Sequence, residues 1–207
     1  MKKQENKIVI FDWGGVVESH DENEYSCSKA VHTFHNRFGI DLKDAEAAKK
    51  YRKVHKWKTL EPEKWFEKLK EEFNLQCSLE EFHKAHDEEY DKIHYYKDVV
   101  EFAHSLKNYC YIGILSNLKK WDKVRIDKQM NLNKFDYVWL SFELRCEKPH
   151  RKIYEIVANE IPDKKILFID DHEENLVIPK EMGWQTLQAT GHELDKIKTK
   201  VFKFINN

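Results

Sequence analysis

The sequence predicts an α/β fold: a parallel sheet flanked by helices, interrupted after its first strand by a helical insertion. Three observations predict it. Short continuous apolar runs, rich in β-branched and aromatic residues, occur at Ile8-Val9-Ile10-Phe11, Tyr111-Ile112-Gly113-Ile114-Leu115 and Ile166-Leu167-Phe168-Ile169. Such runs read as strands buried on both faces, as in parallel sheets. From Asp98 onward, helical patterns alternate with these runs at βαβ spacing, which implies right-handed crossovers. Residues 18 to 95 break the alternation with four helical patterns and no strand-like run.

The first strand ends at a carboxylate, Asp12, followed after Trp13 by Gly14 and Gly15. Two glycines let the backbone turn sharply and approach a ligand closely. Glu24 to Phe38 has apolar residues at Tyr25, Val31, Phe34 and Phe38, and Gly39 is placed to end that helix. Asp41 to Trp57 reads as a second helix. Pro62 suits the first turn of a third, running to Phe73 with Trp65, Phe66 and Leu69 on one side. Ser78-Leu79-Glu80-Glu81 is a capping box that opens a fourth, to about Tyr90. After the amphipathic helix Asp98 to Lys107, the second strand closes at Ser116-Asn117, and a helix follows to about Met130. Tyr137 to Leu140 is a third strand, and Lys148-Pro149 precedes a helix from Ile153 to Asn159. The fourth strand ends in Asp170-Asp171. A short helix then reaches Gly183, and Trp184 to Leu187 is a fifth strand. No Pro/Gly/Ser linker marks the insertion. The expected division is a core of residues 1–17 and 96–207 and a helical insertion of residues 18–95.

Composition excludes several classes. Among 207 residues, 36 are Lys or Arg and 37 are Asp or Glu, a net charge of −1. That near-balance gives no case for a nucleic-acid or membrane-surface partner. The apolar runs are too short to span a bilayer. The first residues lack the apolar stretch and cleavage site of a signal peptide. Cys27, Cys77, Cys110 and Cys146 are scattered without metal-ligand spacing, as free thiols in a reducing compartment are. The expectation is a cytoplasmic protein, a monomer or weak homodimer.

The strand ends carry the chemistry. Open α/β sheets bind ligands at the carboxyl edge of their strands. There stand Asp12, Ser116 and the pair Asp170-Asp171, with Lys148 at the start of the helix after the third strand. Three carboxylates, a hydroxyl and an ammonium suit a magnesium-bound phosphate. A carboxylate can attack phosphorus, while metal and lysine neutralise charge on the transferring group.

Four stretches, Phe-Asp-Trp-Gly-Gly-Val-Val, Ile-Leu-Ser-Asn, Glu-Lys-Pro and Phe-Ile-Asp-Asp-His-Glu-Glu-Asn, resemble in order and spacing the four motifs of haloacid dehalogenase-like (HAD) hydrolases. The resemblance covers residues 7–17 and about 97–190. It implies a Rossmann-like core with an inserted helical cap. Within the superfamily the sequence is most similar to bacterial sugar-phosphate phosphatases of the glucose-1-phosphate phosphatase type. By position, the resemblance makes Asp12 the nucleophile and a metal ligand, and Asp171 the second side-chain ligand with Asp170 beside it. Gly14 would offer its backbone carbonyl to Mg²⁺. Ser116 and the Asn117 backbone would hold phosphate oxygens, and Lys148 would bridge the phosphate and Asp12. Asn175 resembles the residue that positions the fourth-motif loop.

One departure matters. Most phosphatases of this superfamily carry a second Asp where Gly14 stands, as general acid and then base. Glu18, His20 or Asp21 could substitute. The simpler reading makes them solvated hinge residues. Likewise His32, His35, His55, His83, His86 and His94 read as surface histidines, and Trp57, Trp65, Tyr95 and Tyr96 as packing within the insertion or its hinge. The implied function is a Mg²⁺-dependent phosphatase for a small phosphorylated metabolite, a sugar phosphate being one such. The alternatives are a 2-haloacid dehalogenase, against which the paired acids Asp170-Asp171 argue, and a catalytically weakened binding or regulatory protein, for which Gly14 is the main sign.

Overall fold

The computed structural model describes residues 4, 6–55 and 61–207. Five parallel strands form one sheet in the order β3-β2-β1-β4-β5. They are β1 (Lys7–Phe11), β2 (Tyr111–Ser116), β3 (Tyr137–Leu140), β4 (Lys165–Asp170) and β5 (Gln185–Gln188). The first strand is central, and Ile8 to Phe11 are all fully buried. Their side chains alternate across the sheet. Val9 and Phe11 pack into one layer with Ile112, Ile114, Leu167 and Ile169. Ile8 and Ile10 join a second layer with Phe168, Ile153 and Tyr154. Each large apolar side chain so buried contributes about 1.5–3 kcal/mol.

Between β1 and β2 lie α1 (Cys27–Asn36), α2 (Ala45–His55), α3 (Pro62–Phe73) and α4 (Leu79–Tyr90). Two start later than the apolar pattern suggests, because short polar side chains claim the preceding turns. Ser26 Oγ accepts from Lys29 N to cap α1. Asp41 and Asp44 accept from Lys43 N and Ala47 N ahead of and at the start of α2, the local competition such residues offer. Trp57, at the end of the expected second helix, lies outside the described residues. The capping box at Ser78 forms with both hydrogen bonds in place. Phe34, Trp65 and Phe82 from these helices, and Trp13, Val16 and Val17 from the loop after β1, belong to one apolar cluster with Val9 and Phe11 of the sheet. Trp65, Tyr95 and Tyr96 are buried, as expected of packing residues.

The remaining helices are α5 (Lys97–Ser105), α6 (Lys120–Met130), α7 (Ser141–Leu144), α8 (Arg151–Glu160), α9 (Glu174–Glu181) and α10 (Leu194–Asn206). The last follows β5 and lies beyond the elements that the apolar runs and helical patterns predict. Its buried residues Ile197, Val201, Phe204 and Ile205 recur at helical spacing. Two expectations about histidines and the hinge need correcting. His35 and His86 are buried rather than on the surface. Burial drives the His35 pKa down to about 3, and Phe34 packs edge-on against both rings. Glu18 is not solvated; it is 3% exposed, held by Trp13 Nε1 at 3.0 Å and Arg125 Nη2 at 3.1 Å. A charge buried this deeply requires such partners. The four cysteines are free. Among the described residues no helix is long and apolar enough to cross a membrane.

Candidate active site

Sheet register brings the strand-end residues together. Phe11 pairs with Ile169 on one side and Ile114 on the other. Asp12 and Asp170, each one residue further on, therefore leave neighbouring strands at the same level, with Ser116 one residue beyond on β2. Ligand oxygens of Asp12, Asp170 and Asp171 all lie within 4.8 Å of one another. Asp12 is 5% exposed, Ser116 2%, Lys148 4% and Asp170 fully buried.

Lys148 stands between two of the acids, its Nζ 2.8 Å from Asp12 Oδ2 and 2.6 Å from Asp170 Oδ2. The loop that delivers it is tied to the end of β2 by a reciprocal pair. Asn117 Nδ2 donates to Lys148 O at 2.9 Å, and Lys148 N donates to Asn117 Oδ1 at 2.9 Å. The Asn117 side chain thus positions Lys148, a contact the sequence reading, which considered the Asn117 backbone, did not include. Burial alone would lower the Lys148 pKa, but Asp12 and Asp170 outweigh it and hold the ammonium charged. For Asp12 the balance falls the other way. Burial raises its pKa most; Lys148 opposes, Asp170 and Asp171 add, and the carboxyl reaches about 7. Three clustered carboxylates facing one ammonium are under-neutralised, as a site completed by a cation would be.

The two consecutive acids differ in their commitments. Asp170 Oδ1 accepts from His172 N at 2.9 Å and Asn175 Nδ2 at 2.9 Å, while Oδ2 accepts from Lys148. Asn175 is itself anchored by Tyr154, whose hydroxyl donates to the Asn175 carbonyl at 2.8 Å. Asp171 Oδ1 is buried with no hydrogen-bond partner among the described residues. An orphaned carboxylate oxygen beside two other acids fits a divalent-cation ligand. Gly15 is essential to this arrangement. Its φ is 69°, and a Cβ there would lie 2.1 Å from Asp171 Oδ2, so only glycine gives the turn and the room.

Gly14 has a different neighbour. A Cβ at this position would stand 2.9 Å from His20 Cε1, so the His20 ring lies over Gly14. Burial acts to lower the His20 pKa, but the Asp171 carboxylate beside it and the charges of Glu18 and Asp12 outweigh that and raise it. Asp21 lies elsewhere, 3.0 Å from His192 Nε2. A groove of about 1100 Å³, lined by Tyr25, His94, Tyr96 and His192 among others, contains none of Asp12, Ser116, Lys148 or Asp171.

The sequence model of the haloacid dehalogenase-like hydrolases matches residues 9–189. No curated protein matches the chain. Among solved structures, a HAD family enzyme from Bacteroides thetaiotaomicron superposes with a TM-score of 0.75 at 16% identity, over 91% of this chain and 95% of that one. The same enzyme in complex with magnesium and inorganic phosphate superposes at 0.71 and 17% identity, over 89% and 94%. A HAD-like family hydrolase from Porphyromonas gingivalis superposes at 0.67 and 17% identity, over 91% and 93%. At these identities the structural likeness speaks for the fold, while the family match over residues 9–189 takes in all four motif stretches. The chain belongs to the haloacid dehalogenase-like hydrolase family.

Proposed function

We propose that the protein is a Mg²⁺-dependent phosphatase of small phosphorylated metabolites, acting through an aspartyl phosphate on Asp12. The observation that carries this reading is the cluster of Asp12, Asp170 and Asp171 around one buried lysine. The Bacteroides thetaiotaomicron relative complexed with magnesium and inorganic phosphate supports it. A Mg²⁺ ion held by Asp12, Asp171 and the Gly14 carbonyl would neutralise charge on the phosphoryl group. The Asp12 carboxylate attacks phosphorus as the bond from phosphorus to the leaving oxygen breaks, and that oxygen takes its proton from water; water then cleaves the acyl phosphate, freeing inorganic phosphate and the Asp12 carboxylate. Lys148 holds the Asp12 carboxylate in place and faces the charge that develops on phosphate oxygens. Ser116 and the Asn117 amide hold the remaining oxygens. Asp170, with both oxygens engaged, keeps Lys148 charged and aimed. The helical insertion of residues 18–95 acts as a cap that selects the substrate.

A paired-acid cluster disfavours the 2-haloacid dehalogenase reading, and the buried, charged Lys148 disfavours a merely binding protein. A phosphate-release assay over a panel of phosphorylated metabolites, run beside halide release from 2-haloacids, separates the three. The expected result is release with Mg²⁺ and none in EDTA. Full activity in EDTA overturns the metal requirement, and no release from any substrate favours the binding protein.

Gly14 sets the leaving-group preference. General acid catalysis contributes about a hundred- to ten-thousand-fold, and no carboxyl stands at position 14 to supply it. Glu18 cannot serve, being buried and held by Trp13 and Arg125. Anomeric, aryl and acyl phosphates should therefore outrun simple alkyl phosphates, and glucose 1-phosphate should outrun glucose 6-phosphate. A plot of log kcat/KM against leaving-group pKa should slope steeply downward. A flat plot contradicts this and assigns the proton to His20, whose ring lies over Gly14.

A further inference from the structure

On the more exposed side of the carboxylate cluster lies a second set of ligand atoms, which shares Asp171 with that cluster. His20 Nδ1 stands 3.4 Å, and His172 Nε2 3.6 Å, from the same oxygen, Asp171 Oδ2. Ligand atoms of the three residues all lie within 4.8 Å of one another. The two rings are 6.3 Å apart and tilted by 60°, so they flank the carboxylate without stacking on each other. Both nitrogen–oxygen distances exceed the roughly 2.7–2.9 Å of a charged hydrogen bond. The His20 distance equals the edge of a tetrahedron, about 3.3–3.4 Å when the centre lies about 2.0–2.1 Å from each corner, and the His172 distance is slightly longer.

Two features hold this arrangement around the Asp171 side chain, which is only 10% exposed. His172 is placed by its own backbone, whose N–H donates to Asp170 Oδ1 at 2.9 Å. Gly14 has no side chain, and the His20 ring occupies the space a Cβ would need.

We propose that His20, Asp171 and His172 form a second metal site, distinct from the three-carboxylate cluster, that takes Zn²⁺ or a similar borderline cation. Two imidazoles and a carboxylate suit Zn²⁺, Co²⁺ and Ni²⁺, whereas Mg²⁺ prefers oxygen alone. Three protein ligands leave a fourth position for water or a substrate oxygen, as in open zinc sites. Asp171 belongs to both sites. With both filled, one carboxylate faces two dications, so Zn²⁺ here and Mg²⁺ at the acids oppose each other.

The test uses the metal-stripped protein without substrate, titrated with Zn²⁺ by calorimetry and with Co²⁺ by visible absorption. The wild type should bind one Zn²⁺ tightly and give the absorption of four- or five-coordinate Co²⁺. His172→Ala should weaken Zn²⁺ by at least about tenfold, no less than is lost when a ligand's outer-shell partner is removed. His172→Cys should restore binding through a thiolate. The His172 side chain is half exposed, so these changes leave the core intact. Saturating Mg²⁺ should weaken Zn²⁺ in the wild type. Where turnover is measurable, His172→Ala should keep its Mg²⁺-supported rate while its Zn²⁺ inhibition constant rises at least tenfold. Zn²⁺ affinity and Co²⁺ spectrum unchanged in His172→Ala would overturn the site, as would Zn²⁺ binding indifferent to Mg²⁺. The binding arms decide this even if no phosphatase activity is found.

Discussion

Asp12→Asn should lose at least about a thousandfold in turnover, in keeping with the scale of loss when a nucleophile is removed, while keeping its fold. The substitution is isosteric, so the packing around this 5%-exposed side chain survives. The chemistry does not. An amide oxygen cannot form the acyl phosphate, and the cation loses one of its ligands. The Asp12 Oδ1 contact with Trp13 N at 2.6 Å can be kept by the amide oxygen, which holds the loop after β1 in place. Circular dichroism should therefore match the wild type while phosphate release disappears. Retention of about a tenth of the wild-type rate would contradict a covalent role for Asp12.

Lys148→Met should be nearly as damaging to activity and far worse for stability. Methionine fills the volume but leaves Asp12 and Asp170 without their ammonium, 2.8 and 2.6 Å away in the wild type. Removing one partner of a buried charge pair typically destabilises by about 3–5 kcal/mol. Loss of one preorganised donor typically lowers kcat by about 10² to 10³. The stability loss should depend on pH with a definite sign. Burial and neighbouring acids already raise the Asp12 pKa to about 7 with Lys148 present, and without it the value rises further. A carboxyl with a folded pKa above its unfolded one favours the native state on acidification. The deficit of the variant, read from urea unfolding without metal, should therefore shrink as the pH falls from about 8 toward 5. A deficit independent of pH would mean that Lys148 acts through packing alone.

The sheet and the acids were legible in the sequence because both depend on local signals. Each buried parallel strand is a continuous apolar run, and Asp12, Ser116, Asp170 and Asp171 each sit at or just past the end of one. Register alone then brings Asp12 and Asp170 to one level. The capping box at Ser78 and Pro62 at the start of α3 were equally legible, since capping chemistry is local. What was not legible depends on contacts between distant residues. Nothing near Glu18 in sequence announces Arg125, 107 positions away, which turns a hinge acid into a buried ion pair. Asn117 reads as a strand-end residue until its amide meets the Lys148 backbone. His20 and His172 lie on separate loops and become neighbours only when Asp171 stands between them. Helix α10 is the exception, since the spacing of Ile197, Val201, Phe204 and Ile205 is itself a local signal.

The covalent step is most directly tested by rapid acid quench of the Mg²⁺-loaded enzyme mixed with radiolabelled acetyl phosphate. The chemistry assigned to Asp12 predicts an acid-stable, hydroxylamine-labile label. The label should depend on Mg²⁺, map to the peptide containing Asp12, and be convertible to homoserine at that position by borohydride. Steady release of phosphate from an enzyme whose Asp12 stays unmodified at every quench time would contradict it.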